Sequence, residues 1–279
     1  MSSLASRAGS GRALWYAQAA SFTGLLLYVG VLRRLTPWLR FEPDSAALVV
    51  AALVLALIPS LLWLVFFWAV DRREPEPMGH VAQVFLLGAL LSQAVVLPVT
   101  RDIFQVRQWL GGDLLTHLLG SILVVGAAET FANYAAVRYS VFNSDELGSV
   151  MDGVVYGTAA GLGVAAVFNF GFVIEARGLP TTAAVLQVVI TALAHAALGM
   201  VIGYFLGRAK VDRSAGALVA GVAVAAVLNG VFDVLLETVV QAGLVYRPWY
   251  GLLAALSLAV MVSAVIFAAV ARAPATSSA

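Results

Sequence analysis

Eight apolar stretches constrain the fold of this chain more than any other feature of its sequence. Each is roughly 20 residues long, the length that an α-helix needs to cross the ~30 Å hydrocarbon core of a bilayer. They occupy residues 13–32, 46–70, 81–99, 114–137, 152–174, 182–207, 214–240 and 250–271. Apolar residues follow one another continuously in these stretches instead of alternating with polar ones, which favours helices over a β-barrel. The sequence therefore predicts an all-α, polytopic membrane helical bundle with about eight transmembrane helices.

The composition excludes several other classes of protein. The 279-residue chain is 62% apolar and 11% charged, whereas a typical soluble domain is about 45–50% apolar and about 25% charged. Its 16 lysines and arginines are balanced by 15 aspartates and glutamates, so it lacks the excess positive charge that binds nucleic-acid phosphates. Because the chain contains no cysteine, it can form neither disulfides nor a thiolate metal site.

The loops and the two ends of the chain predict its organisation. Residues 1–12 and 273–279 are small and polar, so we expect flexible tails around one integral-membrane domain at 13–272. With eight spans, both termini lie on the same side of the membrane. That side carries nine lysines and arginines against seven on the other, a bias that favours cytoplasmic termini.

Glycines recur at four-residue spacing in two of the predicted helices. Gly157 and Gly161 share a face of one, and Gly199, Gly203 and Gly207 share a face of another. Such faces allow two helix backbones to approach closely. We interpret them as packing surfaces within the chain, and a homodimer interface is the alternative.

Three ionisable residues lie near the middle of different predicted helices: Glu129, His195 and Asp233. Charged groups inside spans are costly, so they mark functional sites more often than surface charges do. Asn229 and Glu237 flank Asp233 at four-residue spacing, which places all three on one helix face. Brought together, these groups are suited to a divalent-metal site, a general-base site or a transporter's proton relay. The residue types alone do not choose among the three.

Some of these polar residues also have a purely structural interpretation. Asn229 is suited to hydrogen bonding between helices, and His195 to donating to a backbone carbonyl. Asp152 opens a predicted helix, where the helix dipole favours an acidic side chain.

Four short segments stand out in the order residues 71–77 (DRREPEP), 151–163 (MDGVVYGTAAGLG), 195–199 (HAALG) and 229–233 (NGVFD). In this order they resemble motifs of the PrsW-type intramembrane protease family, which is itself similar to the CAAX-processing prenyl endopeptidases. The first two are moderately specific, and the last two are weak when taken singly. The resemblance extends over roughly residues 50–240.

The resemblance implies a polytopic helical protease of the bacterial cytoplasmic membrane. Its expected partners are the lipid bilayer and a single-span or membrane-anchored protein substrate, with no nucleic acid. The family's chemistry is attributed to paired glutamates and to histidines, acting either with zinc or another divalent metal or as a glutamic-type protease without one.

The resemblance also implies a set of site residues. We expect Glu129, His195 and Asp233 to be catalytic, and Asn169 and Asn229 to bind substrate. Glu129 and His195 are the candidate metal ligands. Glu129 is expected to be a general base or ligand, His195 a ligand or proton carrier, and Asp233 a ligand or a group that orients the histidine.

Several positions depart from the family pattern. Ala128 stands where the family has the first of two glutamates, Ala132 where it has lysine, Phe168 where it has another glutamate, and Asn229 where it has a second histidine. Loss of members of a catalytic unit usually removes most of the rate. A catalytically inactive relative that acts as a membrane binding or scaffold protein is therefore the alternative function, and a proton-coupled transporter is a further one.

Overall fold

The computed structural model describes residues 2–70, 76–109, 113–242 and 245–272. Within them, the helices are α1 (Ser2–Leu35), α2 (Ala46–Val70), α3 (Met78–Ile103), α4 (Val106–Trp109), α5 (Leu114–Arg138), α6 (Val150–Glu175), α7 (Thr182–Val211), α8 (Ala215–Val240) and α9 (Pro248–Arg272). The remaining regular structure is a 3₁₀ turn at Thr36–Trp38 and a hairpin of two-residue strands, Gln241–Ala242 and Val245–Tyr246. The predicted all-α bundle is confirmed.

Seven of these helices are long and apolar enough to cross a membrane, namely α2, α3 and α5 to α9. Helix α1 contains Gln18, Ser21 and Thr23 in its central part. It begins at Ser2, where the sequence predicted a flexible tail over residues 1–12. Alanine, leucine and arginine, which favour helices, make up five of residues 2–12, beside four serines and two glycines.

Helix α1 is fixed to the bundle by buried polar contacts. The Gln18 amide donates to the Ser263 hydroxyl of α9 at 2.7 Å, and the Tyr28 hydroxyl donates to the Leu55 carbonyl of α2 at 2.9 Å. Each contact satisfies a polar group that would otherwise be costly to bury among apolar side chains.

Helices α6 and α7 form the centre of the bundle and meet along a glycine seam. The seam consists of Gly153, Gly157 and Gly161 on α6 and Gly199, Gly203 and Gly207 on α7. A methyl group built at Gly157 would overlap the Gly199 carbonyl oxygen and lie 2.5 Å from the Gly203 Cα. The glycine faces are therefore buried against each other within the chain. The homodimer alternative is wrong for these faces, because the intrachain contact already covers them.

Helices α3 and α5 each contain π-helical turns that the sequence analysis did not predict. They lie at Ser92–Val96 and Pro98–Ile103 in α3, and at Ser121–Gly126 in α5. Pro98 has no backbone N–H to donate to the regular helical ladder. In α5, the π turn coincides with a close crossing of α8, where a methyl group built at Gly126 would overlap the Ala226 carbonyl oxygen. Glu129 follows this crossing by less than one turn.

Two of the segments that resemble the PrsW family have structural roles near the start of α3 and the start of α6. Asp152 forms a capping box with Ser149, whose backbone N–H donates to the aspartate at 2.7 Å. This confirms the helix-start interpretation of Asp152.

Glu76 is buried and accepts a hydrogen bond from the Tyr156 hydroxyl at 2.5 Å. Residues 71–75 of the same segment lie outside the described residues.

Candidate active site

One cavity of about 820 Å³ opens where α3 and α6 end and α5 and α7 begin. Arg101, Glu175 and Glu237 lie in the lining near these helix ends, whereas Glu129 and His195 lie far from them. Glu129 is 15 residues along α5 from Leu114, which corresponds to about 20 Å at the usual helical rise. The cavity therefore reaches the middle of the bundle.

Glu129 and His195 form a buried pair at the inner part of the cavity. The Glu129 carboxylate oxygen Oε2 lies 3.3 Å from His195 Nε2, and the two residues are only 5% and 9% exposed. The other ring nitrogen, Nδ1, lies 2.9 Å from the Thr191 carbonyl oxygen. Because a carbonyl can only accept, Nδ1 carries a proton and the ring orientation is fixed from α7 itself.

The Nε2 atom of His195 is buried but makes no hydrogen bond among the described residues. Nε2 lies 3.3 Å from the Glu129 carboxylate oxygen, which is close enough for an ion pair, but the two groups are not aligned as a hydrogen bond. Buried polar atoms in folded proteins nearly always have a hydrogen-bond partner. On the cavity wall, this nitrogen is available to accept a hydrogen bond.

The Asn229 side chain forms a hydrogen bond with Glu129. Its side-chain amide donates to Glu129 Oε2 at 2.7 Å, and the residue is 6% exposed. The same carboxylate oxygen is thus contacted by both Asn229 and His195. Asn229 also lines the cavity, and its substrate-binding role stays a prediction.

Asp233 lines the cavity but does not orient the histidine. Its carboxylate accepts from the Ser121 hydroxyl at 2.8 Å, one helical turn nearer the mouth than Asn229. The His-orienting role expected of Asp233 is therefore wrong, because Thr191 makes the contact to Nδ1. One turn further out, His117 Nε2 lies 3.1 Å from Glu237 Oε2.

These contacts form a polar ladder between the antiparallel helices α5 and α8. Its rungs are Glu129–Asn229, Ser121–Asp233 and His117–Glu237. Sequence reasoning found the α8 side from its four-residue spacing but missed His117 and Ser121 on α5. The signal was present, since residues 117, 121, 125 and 129 follow the same spacing.

Phe168 and Asn169 have separate roles next to the site. The Phe168 ring packs edge-on against the His195 ring, with centroids 5.3 Å apart, and lines the cavity. Asn169 is only 1% exposed, is not part of the cavity lining, and donates to the Val188 carbonyl at 2.9 Å. The structure thus places Asn169 in the contact between α6 and α7, outside the cavity lining.

Comparison with known proteins identifies the family. Residues 76–272 match the model of the PrsW family intramembrane metalloprotease. The chain belongs to the PrsW family. It is 29% identical over 161 residues to Protease PrsW of Halalkalibacterium halodurans, covering 58% of this chain and 71% of that protein.

Other PrsW relatives are similar over comparable lengths. Protease PrsW of Clostridioides difficile is 26% identical over 66% of this chain and 78% of its own length. Protease PrsW of Bacillus subtilis is 24% identical over 70% of this chain and 90% of its own length. No solved structure gives a significant match. With its apolar helices and bacterial relatives, the chain is a multi-pass integral protein of the bacterial cytoplasmic membrane.

The PrsW family description names a metalloprotease, which is the support for a divalent metal. A catalytic zinc site has three protein ligands and an open position. The described residues offer His195 Nε2 and the Glu129 carboxylate, and they contain no group of three or more histidines, aspartates or glutamates placed to hold a metal ion. Asp233 does not join them in such a group, and its carboxylate accepts from the Ser121 hydroxyl. These donors do not fit a three-ligand metal site.

Proposed function

We propose that this PrsW-family protein hydrolyses peptide bonds of membrane-anchored proteins within its cavity, with Glu129 as the general base. The observation that carries the proposal is the Glu129–His195 pair, 3.3 Å apart and buried at the inner part of a cavity of about 820 Å³. A carboxylate at that place is within reach of a water that enters the cavity with the substrate.

In this mechanism Glu129 accepts a proton from water while the water oxygen attacks the carbonyl carbon of the peptide bond. When the bond between that carbon and nitrogen breaks, the same proton passes from Glu129 to the leaving nitrogen. The Asn229 amide holds the carboxylate at 2.7 Å throughout. His195 is held by Thr191 with its Nε2 atom 3.3 Å from the Glu129 carboxylate, and in this proposal its role is to support the charge of the glutamate.

The test is cleavage by the purified full-length chain in liposomes that also contain a panel of single-span reporter proteins. We expect the wild type to cleave at least one reporter, and Glu129→Gln to be at least about 100-fold slower, since general acid–base groups typically contribute ~10²–10⁴-fold. The substitution keeps the size of the side chain and an oxygen for Asn229. Cleavage is followed by gel, and the new N-terminus by mass spectrometry.

Glu42→Gln is the matched control, because Glu42 is exposed in the loop before α2. It should cleave like the wild type. Unchanged cleavage by Glu129→Gln would remove the glutamate from the mechanism.

A non-catalytic binding protein is the second candidate, and the presence of two candidate ligands instead of three favours it. It predicts that a double variant, Glu129→Gln with His195→Ala, still co-purifies with its membrane partner while the wild type cleaves nothing. A transporter has less support, because the glycine seam lies directly beyond the site, with Gly161 packed on the His195 backbone. Proton-dependent uptake of a solute into liposomes would contradict that conclusion.

A further inference from the structure

Four of the described residues that line the cavity carry carboxylates, and one carries a permanent positive charge. The carboxylates are those of Glu129, Glu175, Asp233 and Glu237, and the positive charge is that of Arg101. With its two histidines neutral, this lining has an excess of three negative charges. A cleft that is lined by one sign of charge and has apolar walls attracts ligands of the opposite sign.

Asp233 is the one carboxylate of the four that lies in no ion pair among the described residues. The other three each face a basic side chain, in the pairs Glu175–Arg101 (3.6 Å), Glu237–His117 (3.1 Å) and Glu129–His195 (3.3 Å). The Asp233 carboxylate instead accepts from the Ser121 hydroxyl, which carries no charge. A carboxylate away from bulk water is costly unless a positive charge accompanies it. A cationic ligand would supply that charge.

The buried Nε2 atom of His195 supplies a second, independent reason for a ligand that donates hydrogen bonds. Nε2 has no hydrogen-bond partner among the described residues, and it can accept because the proton is on Nδ1. Two nearby side-chain donors, the Asn229 amide and the Ser121 hydroxyl, already donate to carboxylates. A protonated amine or a guanidinium group combines several N–H donors with a positive charge. Such a group matches both the unpaired carboxylate and the free acceptor.

We propose that the cavity selects substrates that carry a protonated amine or a guanidinium group next to the scissile bond, and that Asp233 binds this group. The inference rests on the proposed peptidase function and names its substrate class. The cationic group is a lysine or arginine side chain, or the free N-terminal amine of the substrate. Asp233 is then a binding residue that decides specificity and takes no part in breaking the bond.

The position of Asp233 fits a cationic side chain whose backbone lies beside Glu129. Asn229, which holds Glu129, precedes Asp233 by four residues, and this spacing corresponds to about 6 Å along the helix axis. Glu129 and Asp233 also act on each other electrostatically. Lysine and arginine place a charged head at the end of a long apolar stem. The stem can pack on the apolar part of the lining, which includes Phe172 and Phe232.

The test uses single-span reporter proteins that differ at one residue, which is arginine, glutamine or glutamate. That residue is placed in turn at each position of the segment flanking the span, and the purified full-length chain is assayed with each reporter in liposomes. At one position or more, we expect kcat/KM to be about 10-fold higher with arginine than with glutamine, because hydrogen bonds between charged groups are the stronger ones. Glutamate should be the poorest, because the carboxylates of the lining repel it.

A second pair of reporters, with a free or an acetylated N-terminus, distinguishes the two sources of the cationic group. Loss of cleavage on acetylation, with no preference for arginine within the chain, assigns the group to the terminal amine. A preference for arginine that survives acetylation assigns it to a side chain.

The deciding variant is Asp233→Asn, which keeps an oxygen that accepts from Ser121 but carries no charge. The ratio of kcat/KM for the preferred cationic reporter to that for its neutral counterpart should fall toward one, mainly through KM. A purely structural role of Asp233 would slow all reporters alike and leave this ratio unchanged. Asp212→Asn is the matched control, because Asp212 pairs with Arg208 at the opposite end of α7. It should keep the wild-type ratio.

Reporter affinity is also measured in the Glu129→Gln background, in which no cleavage is expected. Tighter binding of the cationic reporter there, lost when Asp233→Asn is added, supports the cationic site even where the wild type cleaves nothing and the peptidase is removed. Wild-type cleavage with equal kcat/KM for all reporters overturns the selection and leaves the peptidase standing. A preference that survives Asp233→Asn overturns the role of Asp233. Absence of both cleavage and preferential binding removes the peptidase and the cationic site together.

Discussion

The α6–α7 contact and the α5–α8 contact join helices of similar length by opposite means. Along the glycine seam, the backbones of α6 and α7 touch, and a side chain as small as a methyl group would overlap backbone atoms. Between α5 and α8, a close crossing at Gly126 and Gly230 is followed by polar side chains that bond across a cavity. The seam contains no ionisable side chain, whereas every rung of the ladder contains one.

This difference separates stability from chemistry within one bundle. Without a hydrophobic drive between helices in lipid, close packing of small residues is a main source of helix association. The glycine seam provides this close packing next to His195, whose backbone carbonyl packs on Gly161. The ladder leaves room for water and substrate, and its polar groups are therefore partly exposed or paired with each other.

The largest effect is expected from closing the seam with Gly157→Ala. The new methyl group would overlap backbone atoms of Gly199 and Gly203, so the helices must separate. Overpacking costs about 1–3 kcal/mol, and the better helix propensity of alanine offsets about 1 kcal/mol of it. We expect a net loss of up to about 2 kcal/mol in the free energy of unfolding, measured by denaturation in mixed micelles.

Gly30→Ala is the control for the seam variant, because an added methyl group at Gly30 of α1 meets no atom within 4 Å. It should be neutral or slightly stabilising. Equal stability of the two variants would mean that the backbones of α6 and α7 lie further apart at the seam than in the structure.

A smaller and different effect is expected from Asn229→Leu in the ladder. The change removes the 2.7 Å hydrogen bond to Glu129, and hydrogen bonds to charged groups contribute about 1.5–3 kcal/mol. If that contribution serves to hold the base in place, reporter cleavage should slow about 10-fold, since 1.36 kcal/mol corresponds to a factor of ten.

Asn169→Leu sharpens the comparison, because it removes a buried amide of the same type from the α6–α7 contact. It should lower the melting temperature but leave the rate per folded molecule unchanged. A loss of rate in Asn169→Leu with normal stability would return Asn169 to the substrate-binding role expected from the sequence.

The smallest effect is expected at Asp113, which caps the start of α5. The Thr116 hydroxyl and the backbone N–H groups of Thr116 and Leu115 donate to its carboxylate and lower its pKa below the ordinary 3.8. A lowered pKa in the folded chain means that the cap stabilises the helix above the ordinary value and is lost as the pH falls through the lowered one.

Hydrogen exchange of the Leu115 and Thr116 amides checks this cap. Their protection factors should fall on acidification from about pH 5 to about pH 2. Asp113→Asn keeps an acceptor for both amides, so its protection should be nearly independent of pH. The same acid-dependent loss in Asp113→Asn would show that another group is responsible, and Asp145→Asn should behave as the wild type.

The helices could be predicted closely from the sequence, except where a local feature interrupts their pattern. The span predicted at 114–137 is observed at Leu114–Arg138, and the span predicted at 182–207 is observed at Thr182–Val211. Helix α3 extends beyond the predicted 81–99 to Met78–Ile103, because π turns around Pro98 continue it into polar residues. Hydropathy alone gives no sign of a π turn, which depends on how the neighbouring helix packs.

The candidate site could be predicted only in part. Glu129 and His195 were found because an ionisable group inside an apolar span is costly wherever it points. His117 and Ser121 were missed, because a histidine near a helix end and a serine within a helix are ordinary residues by themselves. Asn169 and Asn229 were indistinguishable in sequence, and helix rotation placed one in the packing contact and the other on Glu129.

The sequence by itself determined that this chain is a multi-pass helical membrane protein of the PrsW family, since hydropathy and short motifs are local properties. Only the tertiary structure decided which glycines meet, which carboxylate lies beside the histidine, and which polar residues form the ladder. Those choices depend on the rotation and antiparallel register of helices that are a hundred residues apart in the chain, as Glu129 and Asn229 are. Close packing in the seam and hydrogen bonding in the ladder fix that register, and neither can be calculated from one segment alone.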